Sequence, residues 1–470
     1  MYGERPARSF SGGREIIRDA NKGIAMPDRT DGIRATPDRG VEEQVTLDDA
    51  TMGFAQWRAI AILAVISALD GYDVLCVTFA APGIVAHWGI DKAAIGLLLS
   101  MGLVGMGMGS LLIAPFADRF GRKPLVLASL IIMALGMVLA AISPDINTLM
   151  LCRLVTGLGI GTMVAIITPL SAEYANRRRR PLAVAIMTLG YPAGGVVGGF
   201  AAAFLLEHYS WEAIFLLGAV FSIVLLPFVI LWAPESIAFL ATRRTDSALR
   251  RLNASLAQFG RPRLASLPDI RTAEPGREEK TARILGLVLQ LAAINVFYAM
   301  ITYYMLSWMP QMVADAGFSP PVAASVTVYA NIAGIAGGML MGWAAPHLGL
   351  KPLVLIAFIG MSSATVLFGL TPPDETLLRL AAAGAGFFLF SGVVGIYTVI
   401  ARSFPAHRRS TGAGLVIGLG RGGSALAPAI AGFLFSLNLG RYEVSVAMAA
   451  CGLASAIILA FYRLPKERAV

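Results

Sequence analysis

The sequence predicts an all-α membrane protein with twelve transmembrane helices arranged as two pseudo-symmetric six-helix bundles. Of the 470 residues, 56% are hydrophobic and 14% are charged, and the mean hydropathy is +0.70. A soluble domain carries about 25% charged residues. Apolar stretches of about 20 residues can cross a bilayer. Twelve of them begin near residues 57, 93, 124, 147, 181, 213, 283, 322, 352, 377, 410 and 444.

Polar segments divide these stretches into two sets. Residues 1–52 are rich in Arg, Gly and Asp and predict a disordered cytoplasmic tail, for which translation from Met26 is an alternative explanation. Residues 53–235 form the first predicted bundle and residues 283–464 the second. Residues 236–282 predict a cytoplasmic linker with a surface helix, and residues 465–470 a short tail.

The net charge of +9 is a topology signal rather than a nucleic-acid-binding surface. The loops on one side of the predicted spans hold most of the Arg and Lys, and the other side offers only Lys92, Arg379 and Arg441. By the positive-inside rule, the termini and the linker face the cytoplasm of a bacterial-type inner membrane. Cys76, Cys152 and Cys451 lie within predicted spans, which argues against a disulfide framework.

The two sets of spans are related in sequence. The stretch 114–124 after the second span aligns with 342–352 after the eighth, with Gly, Lys and Pro in register. Aligning Arg58 with Arg283 places Asp70 opposite Asn295, and aligning Arg179 with Arg409 places Tyr191 opposite Arg421. Repeated halves are typical of alternating-access carriers, which bind substrate near the midplane between the halves.

Asp70 and Asp73 are the most informative residues, because they lie inside the first apolar span. A charged Asp at the centre of a membrane helix costs about 2.5 to 3.5 kcal/mol. Their i, i+3 spacing places them on one helix face, where the two acids interact and are suited to taking up and releasing protons. The alternative is that one Asp only satisfies a neighbouring helix or faces water.

Several motifs resemble the major facilitator superfamily and, within it, the aromatic acid:proton symporter family. Asp118-Arg119-Phe120-Gly121-Arg122-Lys123 is similar to the loop signature of the superfamily, although Ala114 replaces its leading Gly. Arg153 to Gly161 and Pro234-Glu235-Ser236 also fit. Asp70-Gly-Tyr-Asp73 and Gly418-Leu-Gly-Arg421-Gly422 resemble the narrower family. The resemblance implies the major facilitator fold, proton symport and a role for both first-helix aspartates in transport.

Arg421 is the predicted anion-binding residue, because its guanidinium is always protonated and matches a carboxylate with two N–H donors. The alternatives are a salt bridge with Asp70 or Asp73, or a position facing the cytoplasm. Asn295 and Tyr298 are the first further candidates for substrate binding. Hydroxyl, amide or ring groups that complete the predicted cavity come from Tyr191, Tyr397 and Asn331.

A second group of residues predicts a cytoplasmic charge network that breaks when the carrier opens inward, with a static structural network as the alternative. It consists of Asp118, Arg119, Gly121, Arg122, Arg153 and Glu173.

The sequence therefore predicts a secondary carrier that imports a small aromatic carboxylate of the benzoate or hydroxybenzoate type with protons. Another organic anion or proton-coupled efflux is the alternative, and a receptor for aromatic acids is the alternative from another class. No catalytic triad, metal cluster or nucleotide-binding motif stands out, so we expect no enzyme activity, no cofactor besides protons, and no nucleic-acid partner. We expect a monomer in the lipid bilayer.

Overall fold

A computed structural model describes residues 51–243, 246–267, 281–404 and 409–462. The predictions for residues 1–50, 268–280 and 465–470 lie outside the described residues. Twelve helices in the described part are long and apolar enough to cross a membrane, which confirms the predicted fold class. In chain order the helices are α1 Phe54–Trp88, α2 Lys92–Phe120, α3 Arg122–Ala141, α4 Ile146–Tyr174, α5 Arg180–His208, α6 Glu212–Trp232, α7 Ile237–Thr242, α8 Asp246–Gln258, α9 Thr281–Asp315, α10 Pro320–Leu348, α11 Leu350–Leu370, α12 Glu375–Ser403, α13 Arg409–Ser436 and α14 Arg441–Phe461.

The spans begin and end at two faces of the molecule. We call the face that carries Phe54, Arg122 and Arg180 the basic end, and the opposite face the far end. Three helices that begin at the far end have an Asp at the N-cap position, where a carboxylate accepts hydrogen bonds from free backbone N–H groups. Asp91 accepts from Ala94 N at 2.8 Å, Asp145 from Asn147 N at 2.8 Å, and Asp374 from Leu377 N at 2.9 Å.

A glycine turn at the basic end occurs once in each half. Gly121 joins α2 to α3 with φ of 107°, and Gly349 joins α10 to α11 with φ of 87°. Residues with a side chain are strained at such positive φ values, whereas glycine adopts them readily. The turns occupy equivalent positions in the sequence repeat, so the two halves share local geometry as well as sequence.

The two halves contact each other mainly through α2 with α13 and through α5 with α10. The backbones of α2 and α13 touch near the far end. A Cβ atom on Gly96 would lie 2.6 Å from the Pro428 carbonyl oxygen, and one on Gly432 would lie 2.6 Å from the Lys92 carbonyl oxygen. Only glycine permits this approach, so the small residues hold the far end closed.

An ion pair reinforces this contact. Lys92 at the start of α2 lies 2.6 Å from the Asp315 carboxylate at the end of α9, and Gln311 donates to the other Asp315 oxygen at 2.9 Å. The Lys92 ammonium also lies 5.4 Å from the centre of the Phe435 ring on α13. Lys92 therefore links its own half to two helices of the other half.

The basic end is open by comparison. Leu111 on α2 lies against Gly418 on α13, yet it is 60% exposed. Added Cβ atoms on Gly414 of α13 and Gly342 of α10 would meet no atom within 4 Å. The halves are thus in contact at the far end and separate toward the basic end.

The ion pair predicts a measurable bias toward this conformation. We expect Asp315→Asn to raise the fraction of molecules open at the far end by about 1.4- to fivefold, because exposed ion pairs contribute about 0.2 to 1 kcal/mol. The measurement is the labelling rate of Val328→Cys, in a variant without native cysteines, by an impermeant thiol reagent supplied at the far end. Val328 is fully buried and packs against Gly199 between α10 and α5.

The charge swap Lys92→Asp with Asp315→Lys should return the labelling rate toward that of the parent. Glu375→Gln is the matched control, because it breaks an exposed ion pair with Arg379 inside a single helix. Unchanged labelling in both Asp315→Asn and Lys92→Ala would show that the ion pair does not hold the far end closed.

Candidate functional site

A cluster of polar side chains lies between the two halves, about midway along the spans. Its central residue is Arg421 on α13, whose Nη1 donates to the Tyr303 hydroxyl on α9 at 3.3 Å. The guanidinium also interacts electrostatically with Tyr397, Asp70 and Tyr191. Among the described residues, no carboxylate lies within 4 Å of Arg421. The cluster therefore contains a half-buried cation without a direct anionic partner among the described residues.

Asp70 on α1 is the acid of this cluster. It is 4% exposed, and its Oδ1 has no hydrogen-bond partner among the described residues. Arg421 and Asp73 both lie near its carboxyl group. An added Cβ on Gly71 would collide with the Tyr191 carbonyl oxygen, so α1 and α5 hold Asp70 and Tyr191 side by side.

Asp73 belongs to a different environment. Its Oδ1 accepts from Arg153 Nη1 at 2.8 Å, and its backbone carbonyl accepts from Nη2 at 2.9 Å. Both side chains are buried, and the guanidinium lies 5.9 Å from the centre of the Phe215 ring. The first-half bundle therefore contains a buried ion pair, in which one guanidinium contacts both the side chain and the backbone of Asp73, while Asp73 Oδ2 and Arg153 Nε have no hydrogen-bond partner among the described residues.

This ion pair corrects the predicted placement of Arg153. Arg153 lies in the second turn of α4, which begins at the far end, so it is remote from the basic-end network to which it was assigned. The correction has a physical reason, since a buried guanidinium needs a buried anion and Asp73 is the one within reach. The alternative in which Asp73 pairs with Arg421 does not occur in this structure.

The second half supplies a small cavity beside Arg421. It has a volume of about 30 Å³, enough for about two water molecules but not for an aromatic ring. Its lining residues come from α9, α12 and α13 and include Asn295, Tyr298, Thr302, Tyr303, Tyr397 and Arg421.

The two favoured candidates, Asn295 and Tyr298, line this cavity but have contacts of their own. The Tyr298 hydroxyl donates to the Leu389 carbonyl at 2.8 Å, and its ring stacks on Phe358 with ring centres 4.2 Å apart. Asn295 donates to the Val416 carbonyl at 3.3 Å, and its side chain packs against Gly420, where an added Cβ would collide with it. Asn295 thus contacts α13 next to Arg421, Tyr298 contacts α12 and α11, and both side chains are buried.

The remaining predicted residues are divided between two places. Tyr191 and Tyr397 lie near Arg421 in the central cluster, and Tyr397 is 42% exposed. Asn331 is fully buried between α10 and α5, where it donates to the Thr327 carbonyl at 3.0 Å and faces Gly195. The sequence offered Tyr303 and Tyr304 equally as cavity residues, and the structure places the Tyr303 hydroxyl against Arg421.

The basic-end network forms within the first half. Arg122 pairs with Glu173, and Asp118 interacts electrostatically with Arg122. The Arg119 carbonyl accepts from Arg243. A Cβ on Gly121 would collide with the Glu235 carboxylate.

Glu235 and Ser236 are members of this network that were not assigned to it from the sequence. Glu235 Oε1 accepts from the backbone N–H of Arg122 at 2.9 Å, and the Ser236 hydroxyl donates to Glu173 at 2.6 Å. The Pro234-Glu235-Ser236 motif was the available signal. Glu235 caps the first turn of α3, so the motif attaches the end of α6 to the glycine turn.

Comparison with known proteins identifies the family. A sequence profile of the Major Facilitator Superfamily matches residues 63–330 and 291–470, and the chain belongs to this superfamily. It is a membrane transporter and not an enzyme. The two overlapping matches are consistent with the repeated halves.

The relatives and the fold agree with this assignment. The chain is 29% identical to the gallate transporter of Pseudomonas putida over 87% of this chain and 92% of the relative. It is 27% identical to the 4-hydroxybenzoate transporter PcaK of Acinetobacter baylyi, over 86% of this chain and 90% of the relative. The fold matches a structure of the xylose transporter XylE from E. coli in a partially occluded inward open conformation. The TM-score is 0.68 at 15% sequence identity, and the match covers 89% of this chain and 100% of XylE.

The buried ion pair predicts different stabilities for variants of the two aspartates. We expect Asp73→Asn to destabilise the protein by about 3 to 5 kcal/mol, because it leaves the Arg153 charge buried without a partner. Asp70→Asn should change the stability by less than about 1 kcal/mol, since it breaks no direct ion pair. Denaturant unfolding of the purified protein in detergent measures both values.

The double variant Asp73→Asn with Arg153→Met is the control, because it removes the stranded charge and should recover much of the lost stability. A double variant as unstable as the sum of both single variants would contradict the ion-pair account.

Proposed function

We propose that this transporter imports a small aromatic carboxylate together with one or more protons by alternating access. The observation that carries the proposal is Arg421, a guanidinium that lies between the two halves and has, among the described residues, only a tyrosine hydroxyl as a direct partner. The aromatic acids named for the relatives, gallate and 4-hydroxybenzoate, support a carboxylate as its ligand. Tyrosine rings beside Arg421 offer stacking surfaces for an aromatic ring.

The proposed orientation follows from the positive-inside rule. The exposed arginines at the basic end, such as Arg177 and Arg178, assign this end to the cytoplasm of a bacterial inner membrane. The structure is then the inward-open state, with the far end facing outward and closed. One chain contains both halves of the site, which supports a monomer as the transporting unit.

Asp70 is the proposed proton carrier. In the empty carrier its carboxylate is attracted to Arg421 across the interface of the halves. A substrate carboxylate that binds Arg421 competes for this cation, and Asp70 then loses its charge by taking up a proton. The loaded site contains one anion, one cation and one neutral acid, so the halves can close over it without burying an unpaired charge.

Proton coupling also supplies the energy for accumulation. An anion that enters against a negative-inside potential costs about 2.3 kcal/mol per 100 mV, and each proton that moves with it offsets one charge. The Asp73–Arg153 pair has a positioning role in this scheme, because it anchors α1 one turn away from Asp70. Protons are the coupling ion, and the scheme requires no other cofactor.

The proposal predicts that Asp70→Asn abolishes proton-driven accumulation but preserves exchange. The amide cannot release a proton, so the variant resembles the permanently protonated carrier. We expect accumulation of 4-hydroxybenzoate in proteoliposomes with an imposed pH gradient to fall to the equilibrium level. Counterflow between labelled and unlabelled substrate should continue.

Asp145→Asn is the matched control, because Asn caps the α4 N-terminus as well as Asp does and the residue lies outside the spans. It should accumulate substrate like the parent. Full accumulation by Asp70→Asn would remove Asp70 as the proton carrier.

Arg421→Lys tests the carboxylate ligand. Lys keeps the charge but loses the planar pair of N–H donors, so we expect the affinity for 4-hydroxybenzoate to fall by about tenfold or more. The uncharged amide, 4-hydroxybenzamide, should bind the parent weakly and lose little further affinity in the variant. Calorimetry on the purified protein measures both, and Arg379→Lys at the far-end surface is the control. Equal losses for the acid and the amide would make Arg421 a structural residue and leave the anionic ligand unsupported.

A further inference from the structure

A cluster of aromatic and ionisable side chains lies at the far end of the first half, away from the central site. It forms where α1 ends and α6 begins, and its members are His87, Trp88, Trp211, Glu212 and Phe215. Trp211 is 4% exposed, whereas the His87 side chain is 56% exposed. A buried indole is therefore in contact with an imidazole that reaches solvent.

The hydrogen bond between these two residues fixes the protonation state of His87. Trp211 Nε1 donates to His87 Nδ1 at 3.1 Å. An imidazole nitrogen accepts a hydrogen bond only when it carries no proton, so His87 is neutral in this arrangement, with its proton on Nε2. A buried indole N–H needs a partner, and His87 supplies it.

Glu212 offers a second partner to the same imidazole nitrogen. Its Oε1 lies 3.9 Å from His87 Nδ1, and its Oε2 is buried without a hydrogen-bond partner among the described residues. A protonated His87 can no longer accept from Trp211, but it can donate to this carboxylate after a small rotation. In the described part of the chain, no other carboxylate lies within 4 Å of His87.

The neighbouring ionisable groups at the far end are engaged elsewhere or face solvent. Asp91 and Asp145 cap helices, and Lys92 pairs with Asp315 on α9. On α5, Glu207 is exposed and His208 Nδ1 lies 2.9 Å from the carbonyl oxygen of its own helix at position 204. Glu212 is thus the charged group that faces His87.

The cluster is continuous with the buried ion pair of the first half. The rings of Trp211 and Phe215 meet edge to face with their centres 5.9 Å apart, and the Arg153 guanidinium lies 5.9 Å from the centre of the Phe215 ring. Arg153 in turn donates to Asp73 at 2.8 Å. A single ring therefore separates Trp211 from the ion pair that anchors α1.

We propose that His87 is a pH-sensitive switch, which accepts from Trp211 when neutral and pairs with Glu212 when protonated. Protonation releases the Trp211 indole, and the altered contact with Phe215 acts on the Arg153–Asp73 pair. Histidine changes charge between about pH 5 and 8, so the switch operates near physiological pH. In the proposed orientation the far end faces outward, and the switch then responds to the pH outside.

Tryptophan fluorescence of the purified protein, titrated from pH 8 to pH 5, tests the switch, because a protonated imidazole quenches an adjacent indole. We expect a transition in the parent that His87→Asn abolishes, since Asn offers an acceptor to Trp211 but takes up no proton. His208→Asn is the matched control at the same end and should keep the transition. Glu212→Gln should move its midpoint to lower pH by about 0.2 to 0.7 pH unit, because it removes the anion that favours protonated His87.

The double variant Asp73→Asn with Arg153→Met tests the relay, because it removes the buried ion pair without changing the net charge. We expect it to move the midpoint by about 0.4 pH unit or more, since coupling between two sites is reciprocal. Phe215→Leu removes the relaying ring and should move the midpoint likewise. Glu375→Gln with Arg379→Met is the matched control, because it removes an ion pair of the second half. Thermal melting verifies that each variant is folded.

Each outcome decides a different question. A transition that persists in His87→Asn, or that is absent from the parent, overturns the switch. An unchanged midpoint in Glu212→Gln overturns Glu212 as the partner of protonated His87. An unchanged midpoint in the folded relay variants overturns the relay. None of these measurements uses a substrate, so they leave the proposed transport function to its own tests.

Discussion

The ion pair between Asp73 and Arg153 determines how the other buried charges are used. The apolar interior tolerates a guanidinium only beside an anion, and Arg153 engages both the carboxylate and the backbone carbonyl of Asp73. Because Asp73 is occupied, Asp70 is the first-helix acid that faces the other half. Arg421 in turn is left without an ionic partner inside the described protein. One structural ion pair thus leaves one acid and one base facing each other across the interface of the halves.

Close backbone contact provides the second constraint. Gly96 and Gly432 let α2 and α13 touch at the far end, where Lys92 adds an ion pair between the halves. The same two helices separate toward the basic end. An exposed ion pair is weak enough to break during a transport cycle, whereas the buried pair inside the first half is strong enough to survive it. The location of each pair therefore matches the motion expected of its surroundings.

The repeat explains both the likeness and the difference of the halves. Gly121 and Gly349 form the same turn with the same sign of φ, because connecting two antiparallel spans imposes the same geometry twice. The polar positions have diverged instead. Asp70 and Tyr191 in one half correspond to Asn295 and Arg421 in the other, so a symmetric frame surrounds a site with an acidic side and a basic side.

The sequence by itself determined the twelve spans, the repeat and the presence of Asp70, Asp73 and Arg421 as charged residues inside apolar spans, because hydrophobic length and charges inside apolar segments are local properties. It also predicted the contact of Arg122 with Glu173. Only the tertiary structure decided the partners. In the folded protein, Arg153 pairs with Asp73 and not with the basic-end network. Tyr298 and Asn295 form hydrogen bonds within their own half, and the Tyr303 hydroxyl accepts a hydrogen bond from Arg421. Partner choice depends on the rotation and depth of each helix relative to its neighbours, and helix packing sets these after the spans have formed.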